Sequence, residues 1–184
     1  MFYSNIEVIM NFYPYEQFTI PRSPNGLIAN DKVSMMDFWD EVENEAEGLS
    51  ETIGIYIFSI RAGQGNLPWY VGKAAKQVFK KECFTHHKLT HFNNCIANRR
   101  GTPLLTLIPK ITQANYFALP NGSEHGDISA LEKMLIGTCL QKNKYLLNIR
   151  DTKLYKRIVV PGYINTPQGG LANSVKKFKH LIGV

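Results

Sequence analysis

The pattern of apolar and polar positions is sharpest between residues 53 and 72. Ile53 to Ile60 reads IGIYIFSI, a near-continuous apolar run rich in β-formers, which predicts a strand buried on both faces. A loop carrying Gly63, Gly65, Asn66 and Pro68 follows, and a second strand runs from Trp69 to about Gly72. Strand, Gly-rich loop and strand predict an antiparallel hairpin with a long connection. The GQG of the loop lacks the third glycine and the following helix of a dinucleotide fingerprint.

Helical spacing dominates elsewhere. Ser34 is placed to cap a helix from about Met35 to Glu47, with Asp37 and Asp40 in its early turns and Gly48 at its end. Residues from Ala75 to Asn98 read as mostly helical, although Thr85 and several histidines blur the pattern. Thr102–Leu119 predicts two strands around Pro109–Lys110, and Asp127–Asn143 a helix with Asp127 or Ser129 near its start. Leu171–Ile182 predicts a final helix, with Leu171, Val175, Phe178 and Ile182 on one face. Its other face carries Lys176, Lys177, Lys179 and His180. That face reads first as a solvated surface over a core stripe, and second as a DNA-backbone contact through Lys176 and Lys177. Residues 1–33 mix aromatics with turn residues and predict no definite element.

Composition narrows the class. The chain has 184 residues and is 44% hydrophobic, as a globular domain with short extensions would be. Twenty-one basic residues against 15 acidic ones leave a formal charge of +6, which suits a polyanionic partner. Cys83, Cys95 and Cys139 form an odd set without a CxxC pair, so they read as reduced thiols in a cytoplasmic protein. No apolar run approaches the roughly 20 residues a membrane span needs, so no membrane partner is expected. The start of the chain lacks the pattern of a signal peptide.

Three features carry candidate chemistry. On the helix from Asp127, Glu132 points into an apolar arc of Ile128, Leu135, Ile136 and Cys139, flanked by Leu131 and Leu140. A carboxylate there must be paired, protonated or bound to a cation, so it is either a structural salt bridge or a ligand for a hard divalent ion. Tyr56 and Tyr70 lie on strands expected to pair, and a buried phenol needs a hydrogen-bond partner. Lys73 adds a cation just beyond Gly72.

Gly54-Ile55-Tyr56 followed by Tyr70-Val71-Gly72-Lys73 resembles the signature of the GIY-YIG nuclease family, with valine in place of the middle isoleucine of the second motif. Downstream, Glu132 heads LEKMLI and Asn148 closes Leu146-Leu147-Asn148, in the order of the family's catalytic glutamate and late asparagine. The resemblance covers roughly residues 52–150. It implies three parts: residues 1–50 as an N-terminal extension with one helix, 51–150 as the nuclease domain, and 151–184 as a C-terminal extension ending in the basic amphipathic helix. It further implies an α+β (α/β) fold, a small central three-stranded antiparallel sheet flanked by helices.

The activity implied is metal-dependent hydrolysis of nucleic-acid phosphodiesters, with DNA favoured over RNA. By the resemblance Glu132 would hold one Mg²⁺ or Mn²⁺ ion. Tyr56 would act as general base or orient water, and Tyr70 would position a phosphate or bound water. Lys73 would help depress the phenol pKa, and Asn148 would position the sheet through hydrogen bonds.

The chain departs from the family at its helical arginine, whose forked donors would clamp a phosphate. Lys80 and Lys81 stand about ten residues beyond Tyr70 instead, followed by His86, His87, Lys88 and His91. Lys80 and His87 are the favoured replacements, with Lys81, Lys88, Arg99 and Arg100 as further nucleic-acid contacts. His87 and His91 have the i, i+4 spacing of a helical metal pair, but neither the HExxH glutamate nor a cysteine pair accompanies them, so surface or phosphate-contact roles are favoured. The missing arginine keeps an alternative open, a catalytically inactive nucleic-acid-binding module of the same fold. A protein-interaction domain using residues 1–50 and the basic end helix is a third reading.

Overall fold

The computed structural model describes residues 11–97, 99–148, 157–166, 169–170 and 172–183. The apolar run at 53–60 forms β3 (Gly54–Ala62), which pairs antiparallel with β4 (Gly65–Ala74) and on its other side with β5 (Thr102–Ile111). Two short strands, β1 (Asn11–Phe12) and β2 (Gln17–Thr19), add to the free edge of β5, making five strands where three were expected. The class is mixed α and β, an antiparallel sheet with helices on its faces.

β3 is apolar almost throughout because both of its faces are covered. Tyr56, Phe58 and Ile60 point into a cluster with Phe38, Trp39, Phe79 and Phe92. Those partners come from α1 (Lys32–Glu45), α2 (Phe79–Glu82) and α3 (His86–Ile96). Ile53 and Ile55 point the other way, against Ile128, Ile136 and Cys139 of α4 (Gly126–Lys142). Each large side chain fully buried this way contributes about 1.5–3 kcal/mol. The segment expected to be an N-terminal extension lends Phe18 of β2 and Phe38, Trp39 and Val42 of α1 to the first cluster. A last helix, α5 (Asn173–Ile182), buries none of its side chains; Leu171 lies outside the described residues, as does residue 150.

Several local expectations are corrected. The β3–β4 connection is short: Ala62 pairs with Gly65, which leaves Gly63 and Gln64 as the turn. Glycine at φ +57° supplies the left-handed turn conformation there. The register then slips between Phe58 and Ser59, which pair with Tyr70 and Pro68, so a bulge at Trp69 absorbs one residue. Asp31, not Ser34, caps α1, accepting from the Ser34 backbone N–H at 3.0 Å and its hydroxyl at 2.7 Å.

The predicted helix over 75–98 is interrupted at Cys83–Thr85 and begins only at Phe79; Asn98 is outside the described residues. Pro109–Lys110 does not divide two strands but lies within β5, and the chain turns after it at Thr112–Tyr116, closing with the Ile111–Phe117 bridge. Among the described residues, no helix is long and apolar enough to cross a membrane.

Candidate active site

The two motifs meet because Tyr56 and Gly72 are direct cross-strand partners. A Cβ at Gly72 would lie 2.2 Å from Tyr56 Cζ and 2.4 Å from its Oη, so the phenol ring occupies the space a side chain would take. Gly54 is needed for a second close approach, since its Cβ would meet Ile108 O at 2.2 Å. Both motif glycines therefore have a packing reason independent of any chemistry.

The sheet separates the expected constellation. Along β4, Tyr70 packs with the α2–α3 cluster and Val71 with the α4 cluster, so alternation sends Lys73 to the α4 side. Tyr56 and Tyr70 share one face, with ring centroids 6.1 Å apart. Lys73 and Glu132 share the other, where Lys73 Nζ stands 2.9 Å from Glu132 Oε2 and donates to Ser129 Oγ at 3.1 Å. Glu132 thus resolves its half-buried position by ion pairing. Ser129, three residues earlier on the same helix face, belongs to this group and was not foreseen.

On the phenol face, Lys88 of α3 takes the place expected of Lys80 and Lys73. Its ammonium donates to Tyr70 Oη, lies 4.7 Å from the Tyr70 ring centroid and stands 3.8 Å from Glu82 Oε1. Tyr56 is wholly buried, and its hydroxyl makes no well-formed hydrogen bond, its polar neighbour being the Tyr70 hydroxyl, whose contact also favours the protonated phenol. Burial, then the neighbouring Cys83, Tyr70 and Glu82, push its pKa well above the ordinary phenol value. The expected depression by Lys73 does not occur, because that ammonium is on the far side of the strand. Tyr56 is therefore a hydroxyl donor near neutral pH and a poor base.

The remaining candidates scatter. Lys80 is exposed beside Glu43 and helps lower that carboxyl's pKa against the effect of burial, together with hydrogen bonds from Ser50 and Gly48. Lys81 and Arg100 are exposed, as are Lys176 and Lys177 on α5. Arg99 stacks over Trp69, 4.2 Å from the ring centroid, and donates to the Cys95 carbonyl. His87 is exposed, with its Nε2 3.0 Å from that of His91. Asn148 does act on the sheet: it accepts from Val71 N at 2.9 Å and donates back to Val71 O at 2.6 Å, as a neighbouring strand would. Leu147 N bonds Trp69 O and Asn143 Nδ2 bonds Pro68 O, so the segment after α4 covers the edge of β4.

For a metal, the chain offers little beyond Glu132. Among the described residues no three His, Cys, Asp or Glu side chains come together. A hard ion at Glu132 would have one carboxylate from the chain and otherwise water, a donor set that Mg²⁺ accepts. The carboxylate is ion-paired with Lys73 at 2.9 Å, so a cation there would have to displace or share it with that ammonium.

No family model, no curated protein and no solved structure matches this chain.

Proposed function

We propose that the chain is a metal-dependent endonuclease of the GIY-YIG type, acting on nucleic acid, DNA by preference, around the end of β4. The observation that carries the reading is the polar group set into an aromatic core. Tyr56 presents a buried hydroxyl with no well-formed hydrogen bond, its polar neighbour a Tyr70 phenol already held by the Lys88 ammonium. An unsatisfied buried donor is costly, and such groups are retained where a ligand uses them. A nucleic-acid strand passing the end of β4 would take charge complement from Lys88 on the phenol face and from Lys73 on the α4 face. Tyr70, half-buried beside Lys88, would donate to a phosphate oxygen or to the attacking water, with Tyr56 packed behind it in the core. Glu132 would hold the divalent ion, which supplies charge neutralisation at the scissile phosphate.

A supercoiled plasmid incubated with the protein and Mg²⁺ or Mn²⁺ tests this. Nicking is expected, abolished by EDTA and reduced at least about 100-fold in Glu132→Ala. Wild-type cutting by Glu132→Ala would sink the assignment of the metal to that residue.

A second reading, a binding module without catalysis, draws on the Lys73–Glu132 ion pair, which already neutralises the carboxylate. It predicts salt-sensitive DNA binding with no cleavage under any metal.

A further inference from the structure

The His87–His91 pair lies outside the chemistry assigned above. Both residues sit on α3, one turn apart, and their Nε2 atoms approach to 3.0 Å. An ion bound at about 2.0–2.1 Å by two imidazoles in cis positions sets its nitrogens about 3 Å apart, so the pair already has the bite of a chelate. The ring of His91 is held parallel to that of Tyr70, 13° from coplanar with centroids 6.5 Å apart, while the His87 ring stands at 82° to it. The contact is a hydrogen bond between the two rings, and a bound ion would take the place of the shared proton. His87 is exposed and His91 half-buried, which leaves solvent access for further ligands.

We propose that His87 and His91 form a two-imidazole site for a divalent ion of the zinc, nickel or copper class, completed by water. The imidazole donors select against the hard Mg²⁺ that a carboxylate would hold. The Lys88 ammonium is itself drawn toward Tyr70 Oη and Glu82. The three cysteines are all buried, so none of them competes for the ion at the surface. The site stands independently of the nuclease reading.

Calorimetric titration of the full chain with ZnCl₂, in excess MgCl₂, is the direct test. One saturable zinc site is expected, weakened at least about tenfold in His87→Ala and in His91→Ala, since even outer-shell partners of a metal ligand are worth 10–100-fold. His86→Ala and His180→Ala should bind as the wild type does. Nitrogen NMR of the wild-type imidazoles gives a second readout that needs no variant: zinc should move the Nε2 signals of His87 and His91 together. Absence of saturable binding up to about 1 mM zinc, equal weakening by all four variants, or zinc-induced shifts at other histidines would overturn the proposal.

Discussion

The two faces of β4 handle polar groups in opposite ways. On the α4 face two lysines near the sheet are ion-paired with carboxylates of α4. Lys73 pairs with Glu132 at 2.9 Å and Lys110 with Asp127 at 2.7 Å, and the lysines keep 38% and 21% of their side chains exposed. Asp127 shows the outcome: burial pushes its pKa up, but Lys110 and the Ile128 N–H outweigh it and the net shift is downward. On the α2–α3 face a phenol is buried completely, its hydroxyl without a well-formed hydrogen bond and its pKa raised. The first face is what a stable domain needs. The second leaves an unmet cost in the core, which is why the search for function belongs there.

Three substitutions sharpen or break this contrast. The largest effect is expected from Gly72→Ala, which drives a methyl into the Tyr56 ring at 2.2 Å in a core with no slack. It should destabilise by about 3 kcal/mol, a fall in Tm of roughly 10 °C for a chain of this size. An unchanged Tm by calorimetry would mean the ring can leave the glycine without cost.

Tyr56→Phe should act in the opposite direction. Removing a buried hydroxyl that makes no well-formed hydrogen bond leaves stability at pH 7 unchanged or higher by up to about 1 kcal/mol, while plasmid nicking falls. The pH dependence gives a second check. The folded pKa of Tyr56 lies above the unfolded value of about 10, so its contribution is fully present below pH 10 and is lost as pH rises beyond it. Denaturant unfolding should show the wild type losing stability in that alkaline range more steeply than Tyr56→Phe. Parallel curves would show that Tyr56 ionises equally easily in both states.

The smallest effect is expected from Lys73→Met. A partly exposed ion pair contributes up to about 1 kcal/mol, so Tm should drop by no more than about 4 °C. A larger loss would place the pair in the core and remove the distinction between the two faces.

Much of the scaffold was legible along the chain. The 53–60 run, the helix bearing Glu132 and the pairing of the two tyrosine motifs all follow from periodicity and turn residues, which are local properties. Asn148 as a sheet-positioning residue came from the resemblance and agrees with its paired bonds to Val71. Other features were hidden. The joining of β1 and β2 to β5 depends on partners about 85 to 100 residues away in sequence, and no local pattern records such a pairing.

The sequence by itself singled out the candidate side chains and determined that Glu132 needs a partner, because helical periodicity puts it in an apolar arc whatever the rest of the fold does. Only the tertiary structure decided what each one faces. Alternation along β4 sends Tyr70 and Lys73 to opposite sides, and the break at Cys83–Thr85 turns α3 so that Lys88 rather than Lys80 meets the phenols. Distances between side chains on different elements depend on register, bulges and helix breaks, and a shift of one residue in any of them exchanges one face for the other.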